Sequence, residues 1–315
     1  MDDKKHDIKK YDGKTVFKIE HGRLSMNRLE LNAYAKVNLG LDVLRRREDG
    51  YHELRMIMQT VDLFDTLTLG KKEEAGIEMT CNIEGLPCDE RNLVYKSAKL
   101  MFEEYKLPGG IRIHLEKRIP MAAGMAGGST DAAAVFNGMN ELYELGVTKE
   151  RLCELGVKIG ADVPYCIVGG TALSEGIGEV LTMLPNVPDC VVLIAKPDFD
   201  VSTKYVFENL HANSLTYHPD IDAMAEAIRA GDLKGIVKVM DNVLETVTET
   251  KYTEITEIKN VMKEYNAMRA MMSGSGPTVF GLYKSEEDAK GAAEEIKKRN
   301  LAKQVFVSSF YHPIK

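Results

Sequence analysis

The sequence predicts an α+β fold of two domains behind a short N-terminal arm, and three observations predict it. Leu31 to Val43 alternates apolar and polar residues in strict period two. A glycine-rich segment, Ile119 to Ala133, runs directly into apolar residues at helical spacing. Beyond Leu184-Pro-Asn-Val-Pro188, strands and helices alternate in the order of a ferredoxin-like α/β sandwich.

At 315 residues the chain exceeds the usual extent of one core. The expected organisation is an extension over residues 1–28, an N-terminal domain over 29–184 and a C-terminal domain over 185–315. The net charge of −7 argues against a nonspecific nucleic-acid binder, which needs a broad positive surface. No apolar run approaches the ~20 residues of a membrane span. The start, MDDKKHDIKK, lacks the apolar core of a secretory signal. Five cysteines with no C-x-x-C pair make a disulfide framework or zinc site a poor fit, so a cytoplasmic protein is expected.

From Leu31, one face of the alternating strand is Leu31, Ala33, Ala35, Val37, Leu39, Leu41 and Val43. Lys36 and Asn38 then share the opposite face with Tyr34. That face is either wet surface, with Lys36 a solvated charge, or the wall of a binding cleft. Asp49-Gly50 marks a turn. Tyr51 and His52 follow it, as plain strand residues or as a pair able to stack on and hydrogen-bond a base. Leu54 to Leu69 is rich in β-formers. Asn92 to Tyr105 has helical spacing and is broken by Pro108-Gly109-Gly110. Ile111, Ile113 and Leu115 form a short strand that delivers the chain into the glycine segment.

That segment holds Gly124, Gly127 and Gly128, then Ser129, Thr130 and Asp131. A pliable loop feeding a helix start is a phosphate cradle, because first-turn amides are unpaired and the helix dipole favours anions. It also reads as a turn whose Ser or Asp merely caps the helix. Neither G-x-x-x-x-G-K-[ST] nor G-x-G-x-x-G is present.

A helix is expected from Lys149 to Ile159, with Gly160 as its C′ residue. Asp162, in Ala161-Asp162-Val163-Pro164, is either a turn former or a carboxylate held in a defined pose. Further on, Val191 to Ala195 is a strand, and Ile221–Ala230, 233–247 and Glu254–Tyr265 are helices. Met272 to Phe280 is a second glycine loop entering a strand. Glu286 to Lys298 is a helix and Gln304 to Ser308 the last strand.

Five segments now fall in one order: Ala35-Lys36-Val37-Asn38-Leu39, Asp49-Gly50-Tyr51-His52-Glu53, Pro120 to Ala133, Gly160 to Pro164, and Ser273-Gly274-Ser275-Gly276-Pro277. In this the chain resembles the GHMP small-molecule kinases from about Leu29 onward. Asp-Gly-Tyr-His narrows the resemblance to members acting on a cytidine diphosphate-linked methylerythritol in non-mevalonate isoprenoid synthesis.

The resemblance implies a two-domain GHMP kinase fold and ATP-dependent phosphorylation of that substrate's 2-hydroxyl. It implies Lys36 and Asp162 as the catalytic pair, and Asn38 as a contact to the methylerythritol portion. Tyr51 and His52 match the cytidine-binding pair, and Phe207 a second aromatic on the cytosine. Pro120, Met121, Ala122, Ala123, Gly124, Met125, Ala126, Gly127, Gly128, Ser129 and Thr130 match the ATP phosphate loop. Mg²⁺ would bridge phosphate oxygens, with Ser129 or Thr130 a ligand. Partners would be the small molecule alone, with no nucleic acid or membrane, in a monomer or homodimer.

The loop departs from the family pattern. Alanines stand at 122, 123 and 126 where glycine is usual, and a methyl restricts positive φ. Met58 stands where an aromatic often lines the cytidine pocket. Rival readings are a homoserine, mevalonate or galactose-type kinase, or a noncatalytic metabolite sensor on the same fold.

Overall fold

Ahead of the alternating segment, β1 (Lys9–Tyr11) and β2 (Thr15–Glu20) pair antiparallel and lead into β3 (Arg23–Arg46). The computed structural model describes residues 9–11, 15–20 and 23–313, with side chains from Met26 onward. Part of the expected 1–28 extension therefore lies outside the described residues.

The chain packs into two units, each discontinuous in sequence: residues 1–33, 64–118 and 128–167, and residues 34–63, 119–127 and 168–315. They are discontinuous because β3 and β4 (His52–Lys72) each give one half to either unit; the spans 29–184 and 185–315 expected from composition are a division along the chain, not by contact.

In the first unit the later half of β4 pairs antiparallel with β6 (Gly110–Glu116), which pairs parallel with β5 (Gly76–Cys81). Helix α1 (Leu93–Tyr105) starts where the Asn92 side chain accepts from the Val94 amide at 2.9 Å. It ends at left-handed Lys106, before the Pro-Gly-Gly breaker. Helix α2 (Gly127–Leu142) leaves the glycine segment and buries Val135, Phe136 and Met139 with Leu67, Leu69, Ile111 and Met101. Each such side chain contributes roughly 1.5–3 kcal/mol by leaving water.

Helix α3 (Lys149–Val157) is capped by Thr148. It stops earlier than expected, and Gly160 is not a left-handed C′ residue: Lys158 is the cap, in right-handed geometry. The chain instead turns through 158–162 into a short helix, α4 (Val163–Val168). Asp162 directly precedes α4, and its carbonyl accepts from the Cys166 amide at 3.1 Å.

In the second unit the early half of β4 pairs with β7 (Thr171–Gly176), and β7 with β8 (Val180–Met183). A separate four-stranded sheet has the order β10-β11-β9-β12, all antiparallel: β9 (Val191–Lys196), β10 (Arg269–Met272), β11 (Val279–Tyr283) and β12 (Gln304–Ser309). Helices α9 (Thr253–Glu264) and α10 (Glu286–Lys298) pack on it, as the ferredoxin-like expectation requires.

The sequence gives no sign of α5 (Thr203–Asn209); α6 (Ile221–Arg229) lies where expected. The single helix expected over 233–247 is broken into α7 (Leu233–Val239) and α8 (Glu245–Lys251). Between them the backbone runs beside β3: the Leu41 amide donates to Asp241 O and the Val243 amide to Leu41 O. Pairing to the strand outweighs helical periodicity there.

Candidate active site

In the second unit, β3 is buried on both faces from Ala35 to Val43. The polar face is therefore no wet surface. Lys36 is only 5% exposed, and its Nζ donates to Asn38 Oδ1 at 2.7 Å. Asn38 is fully buried, with Nδ2 3.4 Å from Met56 Sδ. An ammonium is expensive to bury unless it is paired, and partners are at hand here.

The Lys36 amide donates to Met125 O at 3.2 Å, tying the strand to the glycine loop. Ile119, Ala123 and Met125 anchor that loop in the core, while Met121 and Ala122 face solvent. Ala122, Gly124 and Ala126 all take positive φ, at 48°, 69° and 57°. Ala122 and Ala126 thus hold the left-handed conformation that glycine adopts freely.

Gly124 cannot be replaced without movement: a Cβ there would lie 2.1 Å from Ser273 O. The loop's continuation, α2, carries no acidic residue in its first turn, so no side-chain charge competes for its amides.

Residues 273–277 form the second loop. Asn242 Nδ2 holds it by donating to Met272 O at 2.9 Å and Gly274 O at 2.8 Å. Glu245 Oε1 accepts from the Met272 amide at 2.6 Å, and Lys259 Nζ reaches Glu245 Oε2 at 2.6 Å. Burial pushes the Glu245 carboxyl up despite Lys259.

The turn after β3 presents the aromatic pair. Asp49 Oδ1 accepts from the Tyr51 amide at 3.0 Å, and Oδ2 from Arg47 Nε at 3.1 Å. The Tyr51 amide, ahead of Arg47, holds the Asp49 carboxyl below its usual range. Tyr51 stands 59% exposed, and the His52 ring lies 5.0 Å from that of Phe207 at a 33° tilt. Burial, and then the Arg46 charge, lowers the His52 pKa, so a neutral imidazole is favoured at neutral pH. Met58 is fully buried in β4.

In the first unit, Ser129 is half-buried in the first turn of α2 and Thr130 is buried. A Cβ built on Gly160 would sit 3.9 Å from Ser129 Oγ. The α3–α4 turn that carries Asp162 thus neighbours the start of α2. Asp162 itself is half-buried.

Sequence reasoning passed over Asn242, Glu245, Arg46, Asp65 and Lys117, and read Asp131 only as a cap of the helix; Asp65, Lys117 and Asp131 form a buried set. One signal for the last existed: Asp131 lies four residues before Val135, on the buried side of α2.

Family comparisons agree with this architecture. Models described as the GHMP kinases N terminal domain and the GHMP kinases C terminal match residues 92–170 and 224–302. Fold and loops thus define a GHMP-type small-molecule kinase. A 4-diphosphocytidyl-2-C-methyl-D-erythritol kinase of Lachnospira eligens is 51% identical over 288 residues, 91% of this chain and 100% of that one. One from Caldicellulosiruptor bescii is 50% identical over 85% of this chain and 94% of its own. A crystal structure of 4-(cytidine 5′-diphospho)-2C-methyl-D-erythritol kinase superposes with TM-score 0.77 at 33% identity, covering 90% of this chain and 100% of that one. The chain belongs to the 4-diphosphocytidyl-2-C-methyl-D-erythritol kinase family. A homoserine kinase structure from Cytophaga hutchinsonii, at 21% identity and TM-score 0.72 over 91% of this chain and 95% of its own, shares the fold. Among the described residues no helix is long and apolar enough to cross a membrane.

Proposed function

We infer that the protein transfers the γ-phosphoryl group of ATP to the 2-hydroxyl of 4-diphosphocytidyl-2-C-methyl-D-erythritol. The observation that carries this choice of substrate is the His52–Phe207 ring pair beside exposed Tyr51. A kinase of a small free alcohol needs no base-stacking site; a kinase of a cytidine-linked alcohol does. Relatives half identical over most of their length support it.

ATP supplies the phosphoryl group, and Mg²⁺ the counter-charge on its phosphates. Phosphoryl transfer asks the protein for positioning and charge neutralisation. The positive-φ loop and the acid-free start of α2 suit a polyphosphate. A nucleotide-borne Mg²⁺ needs only one or two protein oxygens. Half-buried Ser129 suits it better than buried Thr130.

Asp162 accepts or orients the hydroxyl proton. Lys36, held by Asn38, offsets charge on the transferring group, and Asn38 borders the methylerythritol portion. Tyr51 and Phe207 stack on the cytosine, and neutral His52 hydrogen-bonds its edge. The free cysteines, at 81, 88, 153, 166 and 190, suit a reducing cytoplasm.

The test is ADP release with this substrate against mevalonate, homoserine and galactose. A strong preference for the cytidine-linked alcohol is expected; preference for another would overturn the reading.

A further inference from the structure

The mechanism leaves unused a buried charge cluster in the first unit. Lys117, Asp65 and Asp131 are 8%, 0% and 2% exposed. Lys117 Nζ donates to Asp65 Oδ2 at 2.5 Å and to Asp131 Oδ2 at 2.8 Å. Asp65 Oδ1 also accepts from the Arg118 amide at 2.5 Å. Asn82 holds both backbone groups of Lys117: its Oδ1 accepts from the amide at 2.8 Å and its Nδ2 donates to the carbonyl at 3.1 Å.

The placement is what matters. Lys117 leaves β6 immediately before the glycine loop, and Asp131 follows the loop inside α2. One ammonium therefore joins the two ends of that loop. A buried ion cluster is a poor source of stability, since apolar replacements of like volume often do as well. A rigid frame for a loop that must meet a polyanion is a better reason for the same groups.

We propose that Asp65, Lys117 and Asp131 are positioning residues for the nucleotide: they clamp the ends of the glycine loop and so set its affinity for the triphosphate, without touching substrate. This rests on the reading of that loop as the ATP site.

The experiment measures Kd for ATP by calorimetry, with KM for the alcohol and the unfolding midpoint measured alongside. Lys117→Met is expected to weaken ATP binding about tenfold or more, with KM for the alcohol within about twofold. Asp131→Asn, which keeps the shape but weakens the tie to Lys117, is expected to weaken ATP binding about threefold or more, again with KM for the alcohol within about twofold. Unchanged ATP affinity in Lys117→Met, or an equal loss for both substrates, overturns the clamp. If Lys117→Met does not fold, Asp131→Asn decides: ATP affinity like wild type's overturns it. Wild type that binds ATP but ignores the cytidine-linked alcohol sinks the substrate reading and leaves the clamp standing.

Discussion

Ser273 Oγ donates to Gly124 O at 2.9 Å, and a Cβ on Gly124 would lie 2.1 Å from Ser273 O. The two glycine loops, 149 residues apart in the chain, are in backbone contact. The contact explains why residue 124 is glycine on two counts, space and a φ of 69°. Gly124→Ala is expected to cost about 1–2 kcal/mol from φ alone. Pushing Ser273 aside adds more. Urea denaturation and ATP titration should both show a loss; unchanged midpoint and affinity would refute the contact.

Ala126 takes the same kind of conformation with a methyl in place, at φ 57°. Glycine there relieves about 1–2 kcal/mol of left-handed strain but restores about 0.4–1 kcal/mol of unfolded-chain entropy. The balance predicts that Ala126→Gly stabilises by about 0.5–1 kcal/mol, with ATP Kd unchanged. A lower urea midpoint would show that the methyl is needed for packing.

Much of this was legible in the chain. Period-two alternation located β3, the glycine segment located the start of α2, and Asp49-Gly50 located the turn bearing Tyr51 and His52. Local pattern did not reveal what depends on distant partners. Lys36 and Asn38 read equally well as wet surface, because burial of the second strand face is decided elsewhere in the fold. The helix expected over 233–247 broke because Leu41 competes for the backbone of Asp241 and Val243. The discontinuous contact units leave no trace in composition, because β3 and β4 pass through both.

His52 provides a pH test. Burial and the Arg46 cation both lower its pKa, so protonation waits for more acidic pH than for a free imidazole. If the neutral ring reads the cytosine, KM for the cytidine-linked alcohol rises as pH falls through that pKa. Arg46→Ala removes the cation, raises the His52 pKa and moves this rise to higher pH, with KM for ATP unaffected. An acid limb that stays in place excludes Arg46 from the effect. Phe207→Ala should cost about 1–3 kcal/mol of stacking, about fivefold to a hundredfold in KM.

Asp162 directly precedes α4, with its carbonyl in the helix's first hydrogen bond. Asp162→Asn retains shape and loses the base. General-base help is worth about two to four powers of ten, so kcat should fall by that factor with ATP Kd within about twofold. Near-full turnover would remove Asp162 from the chemistry.

Asn242, in the segment between α7 and α8 that runs beside β3, holds the second loop. It is 1% exposed, donates to Met272 O and Gly274 O, and accepts from the Leu244 amide at 3.0 Å. Asn242→Ala strands two buried carbonyls, each worth about 1–3 kcal/mol, so a loss of roughly 2–4 kcal/mol is expected in urea. Asn242→Asp is the sharper variant, because an ionised carboxylate would face two carbonyl oxygens. Its proton is then held more tightly in the folded state than in the unfolded one. A raised folded pKa means stability that is present at low pH and lost as pH rises through that pKa. The urea midpoint of Asn242→Asp, measured against wild type, should therefore recover on mild acidification and fall on alkalinisation. A pH-independent deficit would mean that the side chain turns away from the loop, and that something else holds Met272 and Gly274 against the glycine segment.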